Sequence, residues 1–142
     1  MTGVDANILV ALAIGGHPLQ SRSVQWVAAE LAAGRRLVTT AAVLAEFLHV
    51  STDSRRFSPP LLMEEALSWV EAWLAKEETV ILAVEETDVR LCLRWLGERR
   101  LGRKRILDTQ LAATLHRHGV RRLLTSNPDD FRVFGVFELI VP

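Results

Sequence analysis

The sequence predicts an α/β fold: an α/β/α sandwich with a central, mostly parallel sheet, in a single domain covering residues 1–142. Two observations carry this. Short apolar runs alternate with longer segments of helical periodicity along the whole chain, the pattern of successive βαβ units. The runs themselves, "TVILAV" above all, are β-branched and lack polar alternation, as in strands buried on both faces. A chain of 142 residues holds one core of useful size, and no repeat, linker or low-complexity segment divides it.

Each element has a local reason. "GVDANILVAL" begins with a very short strand, and Asp5 and Asn7 stand where strand gives way to helix. "HPLQSRSVQWVAAELAAG" is an amphipathic helix with Pro18 near its start, Val24, Val27, Ala28 and Leu31 on its apolar side, and Gly34 as its stop. "RRLVT" is a short buried strand. The helix "TAAVLAEFLHVS" that follows is apolar almost all round and so should be covered on most sides. In "RRFSPPLLMEEALSWVEAWLAKE", Ser58 and two prolines precede a helix with Leu62, Ala66, Trp69 and Trp73 on one face. "TVILAV" is expected as a central strand. "EETDVRLCLRWLGERRLG" is a helix ending near Gly97, "ILDTQLAATLHRHG" a helix starting at Asp108 and closed by Gly119, and "VRRLLTS" a strand. The short helix "NPDDFRVFG" and the strand "VFELIVP" complete the chain.

Composition excludes several classes. Lys+Arg and Asp+Glu balance at 17 each, so no net field announces a nucleic-acid partner, and any such partner must meet a local patch. The lone Cys92 rules out a disulfide framework and a cysteine-based zinc site, and suits a reducing, cytoplasmic compartment. "MTGVDANILVAL" has no basic leader and carries Asp5 in its first apolar run, unlike a signal peptide. The most apolar stretch is interrupted by Glu46 and falls short of the roughly 20 residues a bilayer requires, so no membrane association is expected.

In open parallel sheets ligands collect outside the carboxyl ends of the strands, so acids placed there matter most. Asp5 ends the first strand; a helix cap is the bland alternative. Glu46 lies on a helix with no clearly polar side, flanked by Ala42, Val43, Leu44, Phe47, Leu48 and Val50, and so needs a cation, a metal or an elevated pKa. Asp108 heads the stripe Leu111, Ala112, Leu115 and is also a natural cap. If Asp5 and Asp108 face one another with Glu46 between, the three carboxylates repel unless a divalent cation neutralises them. Mg²⁺ or Mn²⁺ suits such an all-oxygen set. The four histidines show no metal-binding spacing and are expected to be solvated or capping.

The segments "VDANILV", "AAVLAEFLHV", "RILDTQLAATLHRHG" and "LLTSNPDDFRVFGVFELIVP" resemble, in order and spacing over essentially the whole chain, the PIN-domain ribonucleases, and look most like VapC-type toxins of bacterial toxin–antitoxin pairs. The resemblance implies metal-binding and catalytic roles for Asp5, Glu46 and Asp108. It maps a Thr-x-Asp/Asn-x-x-x-Phe motif onto Thr125, Asn127 and Phe131. Asn127 is a departure, an amide where many relatives carry a fourth acid, and Asp129 is the nearby candidate to replace it. Asn7, Thr125 and Asn127 are then supporting residues. The resemblance further implies Mg²⁺- or Mn²⁺-dependent hydrolysis of RNA to 5′-phosphate and 3′-hydroxyl products, homodimers, and inhibition by a cognate antitoxin protein.

The run "GERRLGRKRILD" places Arg99, Arg100, Arg103, Lys104 and Arg105 just ahead of Asp108, where they could hold RNA phosphates; a solvated loop is the equal alternative. Arg121 and Arg122 look like surface or edge residues, and the rings of Trp26, Trp69 and Trp73 belong by default in the core. Two rival functions remain in view. A haloacid-dehalogenase-like phosphatase is disfavoured because Asn7 stands where a second Asp is needed. A PIN-like binding module without strong catalysis fits the loss of the fourth acid.

Overall fold

Strand β1 (Thr2–Val4) pairs with β2 (Leu37–Thr40) on one side and β4 (Arg122–Leu124) on the other. The computed structural model, which describes residues 1–142, completes the sheet with β3 (Thr79–Leu82) beside β2 and β5 (Glu138–Ile140) beside β4. The order is β3-β2-β1-β4-β5 and every pairing is parallel.

Helices α1 (Ala6–Ala13) and α2 (Gln20–Ala32) lead from β1 to β2, and α3 (Ala41–Ser51) and α4 (Met63–Leu74) lead from β2 to β3. The return to β4 runs through α5 (Glu86–Glu98), a 3-10 turn at Arg103–Arg105 and α6 (Ile106–Arg117), and α7 (Pro128–Arg132) joins β4 to β5. Right-handed crossovers on an outward walk from β1 to β3, followed by a walk the other way, put α1–α4 on one face and α5–α7 on the other. The helix contacts follow that division: α1 packs on α2 and α3, α3 on α4, α5 on α6, and α6 on α7. The direction of winding reverses at β1, between β2 and β4, and the carboxyl end of β1 therefore opens on a crevice. No helix is long and apolar enough to cross a membrane.

Close packing on β1 depends on Gly3. A Cβ at this position would lie 2.6 Å from Cδ1 of Leu115, so glycine lets α6 sit directly against the strand. The fully buried Phe47 of α3 and Phe131 of α7 anchor the two faces, and Val4, Val38, Leu123 and Leu124 fill the sheet between them.

Several expectations change. "TVILAV" forms β3, but at the sheet edge, with Ile81 exposed, because β1 takes the centre despite its three residues. On α2 the buried residues are Ser23 and Glu30, while Val24 and Ala28 face solvent. Trp26 is exposed as well; Trp73 is buried and Trp69 stacks on it at 5.5 Å between ring centroids. Leu62 precedes α4 and is exposed. Helix α3 leaves Ala41, Ala45 and His49 uncovered. Finally, α6 starts at Ile106, so Asp108 sits within its first turn and not at its cap.

The amphipathic reading of α2 holds in part: Val27 and Leu31 pack against the core, but the helix's fully buried Glu30 belongs to an ion cluster. Glu30 is 1% exposed and takes hydrogen bonds from Arg35 Nε (2.7 Å), Arg122 Nη2 (2.9 Å) and the Thr2 hydroxyl. Arg122 also pairs with Glu138 across β4 and β5, so it is a structural residue and no idle edge charge. Burial alone would raise the pKa of Glu30, but the hydrogen bonds from Arg122, Arg35 and Thr2 outweigh it and lower the pKa from 4.5 to about 2. A carboxylate with a lowered folded pKa stabilises the protein above its unfolded value, and that contribution disappears as pH falls from 4.5 toward about 2. Glu30→Gln should therefore cost on the order of 3 kcal/mol at pH 7 and progressively less below pH 4, read as the urea midpoint across pH. A pH-independent penalty would show that the charge is not what Glu30 contributes.

Candidate active site

Asp5 follows β1 directly and is the N-cap of α1, its Oδ1 accepting from the Ala6 N–H at 2.7 Å. Its other oxygen accepts from the Thr125 hydroxyl (2.7 Å) and from Nδ2 of Asn7 (2.5 Å). Asn7 in turn accepts from the Ser126 N–H at 3.0 Å, and the Asn127 N–H donates to Thr125 Oγ1 at 3.0 Å. The cap reading and the site reading of Asp5 are thus compatible: one carboxylate ends the strand, starts the helix and ties both to the loop after β4. Asn7 and Thr125 act as its positioning residues.

Burial dominates the ionisation of Asp5. It raises the pKa from 3.8 to about 6, against hydrogen bonds from Thr125 and Ala6 and with help from the charge of Glu46. Asp108 is likewise raised to about 6, first by burial, then by Asp5 and Asp130, with Arg105 opposing. Glu46 is raised by burial and by Asp108, with Arg56 and His49 opposing. Each carboxylate of the trio thus feels at least one of the others, although they come from three separate elements. Glu46 has no hydrogen-bond partner among the contacts that fix Asp5, which leaves its carboxylate free at the cavity wall.

A cavity of about 240 Å³ at the carboxyl end of β1 is lined by Asp5, Asn7, Glu46, Asp108, Ser126 and Asn127, with Arg56 and His17 among its other walls. Carboxylate and amide oxygens with no sulfur suit a hard divalent cation. No three acidic, His or Cys side chains are gathered closely enough to hold a metal ion between them. Hydrated Mg²⁺ does not require such a group, since one or two carboxylates hold it while it keeps several waters. The oxygen donors lining the cavity fit such an ion, and Asp5 and Asp108, with Glu46 on the same wall, are the residues that would hold it.

Asp129 does not join the cavity. Its side chain is 84% exposed and pairs with Arg132 on its own helix, because one turn into α7 it points away from the crevice. Asp130, which local sequence gives only a helix-dipole role, is the acid of this helix that acts on Asp108, after the larger effect of Asp5. Between them lies Arg105, 3.6 Å from Asp108 and 3.5 Å from Asp130, donating also to the Asp130 carbonyl. The basic run is thus split. Arg105 is committed to the acids, and Arg99 stacks over Trp95 (5.1 Å) and Phe134 (5.8 Å) and donates to the Val133 carbonyl. Arg100, Arg103 and Lys104 remain exposed. Sequence reasoning missed Arg56 and His17, which reach the cavity from loops that nothing in local patterning marks as neighbours of Asp5.

The sequence pattern of one family, described as PIN domain, matches residues 4–136. The chain belongs to the PIN-domain family. That assignment agrees with the parallel five-stranded sheet and with the place of the crevice. Solved structures with the same fold include the VapC20 toxin of Mycobacterium tuberculosis, described as cleaving the sarcin–ricin loop (18% identity, all of both chains covered, TM-score 0.78). Others are VapBC2 from Rickettsia felis bound to a promoter DNA fragment (19% identity, 99% and 97% of the two chains, TM-score 0.69) and a toxin–antitoxin complex from Klebsiella pneumoniae (17% identity, 100% and 98%, TM-score 0.68). At these identities the likeness establishes the PIN fold. No curated protein matches the chain.

The raised acids fix the sign of a pH effect. With folded pKa values near 6 against 3.8 for the unfolded chain, Asp5 and Asp108 hold protons in the folded state that the unfolded state has lost, so stability falls as pH rises through about 4 to 6. In chelator, the Tm should drop across this range, and Asp5→Asn or Asp108→Asn should flatten the profile. At pH 7, millimolar Mg²⁺ or Mn²⁺ should raise the Tm of the native chain and leave the double variant unmoved. A Tm insensitive to both ions would remove the cation from this site.

Proposed function

We propose that this PIN-domain protein is a metal-dependent endoribonuclease, the toxin of a toxin–antitoxin pair. The observation that carries it is the meeting of Asp5, Glu46 and Asp108, from three elements, in one cavity at the switch point of the sheet, each raised in pKa by burial and by its neighbours. Solved proteins of this fold support the toxin reading: one is described as a toxin that cleaves the sarcin–ricin loop and another as a toxin–antitoxin complex. An antitoxin protein is accordingly the expected partner.

Asp5 and Asp108 would hold Mg²⁺ or Mn²⁺, which when bound supplies Lewis acidity toward a phosphate oxygen and lowers the pKa of an attacking water. The side chain of Asn7 and the hydroxyl of Thr125 keep Asp5 in its rotamer by donating to the same oxygen. Glu46, half-buried, without a fixed donor and with a raised pKa, is poised to accept the proton of the water. The amide of Asn127 faces the same cavity and can donate to a phosphate oxygen where a carboxylate would repel it. Arg105 keeps Asp108 and Asp130 from repelling one another and so preserves the start of α6. Arg100, Arg103 and Lys104 offer exposed cations to the RNA backbone.

Defined RNAs incubated with the purified protein should be cleaved in Mg²⁺ or Mn²⁺ and left intact in chelator. Asp5→Asn and Asp108→Asn should abolish cleavage, and Glu46→Gln should lower kcat by about 10²–10⁴-fold with RNA binding retained. Equal cleavage in chelator and by the variants would reject the metal nuclease, whereas RNA bound and never cut would favour a binding module. Replacing Arg103 and Lys104 together by Ala should weaken RNA binding and reduce the slope of log K against log salt by about 2. An unchanged slope would return both residues to the solvated surface.

A further inference from the structure

We propose that the groove running from the acidic cavity over His17, Arg56 and Phe57 is a subsite for one unpaired nucleotide flanking the scissile phosphate, an assignment that rests on the ribonuclease reading. The acidic cavity and a second, larger hollow of about 560 Å³ share His17, Arg56 and Phe57 as a common wall, so a strand leaving the acids passes directly into it. Beyond them the hollow is lined by Gly16, Pro59 and Leu61, with Ser58 and Glu65 as its polar groups. Its size falls in the range of small-molecule sites.

The three shared residues supply what a nucleotide needs. Phe57 and His17 lie 6.4 Å apart between ring centroids and are tilted by 54°, so they form a corner with an aromatic face on each side. A base of any identity can stack on such a face, which suits single-stranded or splayed-out RNA. His17 is fixed in orientation, because its Nδ1 accepts from the Leu19 N–H at 3.1 Å. In the neutral ring the remaining proton is then on Nε2, which leaves a donor for a base edge or a sugar hydroxyl.

Arg56 provides the charge. Its neighbour Arg55 takes Asp53 in two hydrogen bonds of 3.1 Å, which leaves Arg56 only a 3.8 Å approach to the same carboxylate and a side chain 61% exposed. This weakly engaged guanidinium also acts on Glu46, so it stands at the junction of the two hollows. A phosphate there would be the one adjoining the scissile bond. The geometry thus selects an unpaired nucleotide at one fixed step from the cut, in contrast to the nonspecific backbone contacts offered by Arg103 and Lys104.

The test is an abasic scan. A short single-stranded RNA containing the cleavage site is made with each position in turn abasic, and binding is followed by fluorescence anisotropy with the full-length Asp5→Asn chain, so that the readout does not depend on catalysis. One position next to the scissile phosphate should weaken binding by about 5- to 150-fold, the others little. Phe57→Ala should give the same loss on intact RNA and no further loss at that abasic position; His17→Ala should do so in part. Arg56→Ala should weaken binding to every oligonucleotide alike and lower the salt slope by about 1. Circular dichroism melts identify a Phe57→Ala chain that fails to fold, in which case Phe57→Leu, which keeps a branched apolar side chain and removes the ring, carries the comparison. A flat scan, or additive losses in the double combination, overturns the subsite and leaves the groove to a peptide of the partner protein. RNA that binds with one sensitive position but is never cut by the native chain would instead sink the nuclease reading and leave the groove a nucleotide-binding site with no scissile bond beside it.

Discussion

The structure depends on holding like charges together at the end of a three-residue strand. Asp5 is 6% exposed and spends its oxygens on the Ala6 N–H, the Thr125 hydroxyl and the Asn7 amide, and those same three contacts join β1, α1 and the loop after β4. Without them a buried carboxylate beside Glu46 and Asp108 would turn outward to water. Because they are present, desolvation appears as a raised pKa and not as a displaced side chain. The acid that caps a helix is therefore also the one most readily placed against a cation.

Two arginine–carboxylate clusters lie at opposite ends of the sheet. At the carboxyl end, Arg105 sits between Asp108 and Asp130 and offsets their repulsion without closing the cavity. At the amino end, Arg35 and Arg122 enclose Glu30, whose pKa moves the other way. The contrast is one of partners: Glu30 meets charged donors on nearly every side, whereas Asp5 meets neutral donors and other acids. Burial is common to both, so it alone does not decide where a reactive group arises.

Much of the site was legible along the chain because chemistry and secondary structure coincide there. Acids placed at the ends of apolar runs, and a Glu on a helix with no polar face, mark Asp5, Asp108 and Glu46 as residues that a parallel sheet collects at one edge. Asn127 was visible as an amide where an acid was expected. The basic run was legible only as a composition. Whether each arginine faces RNA, an aromatic ring or an acid depends on how α5 and α7 pack, and that gave Arg99 to Trp95 and Arg105 to Asp108. Asp129 and Asp130 exchanged significance for the same reason, since neighbours in sequence on a short helix point to different sides of it.

The sequence by itself determined the alternation of strands and helices, the parallel sheet and the three acids, since these follow from periodicity, capping chemistry and the cost of burying charge. Tertiary structure alone decided the rest. It placed the short β1 at the centre and "TVILAV" at the edge, because strand order follows from crossover geometry and not from hydropathy. It also brought His17, Arg56 and Phe57 to the rim of the acidic cavity. They reach it from two loops that follow α1 and α3, and contacts between loops so far apart in the chain leave no period or spacing to find.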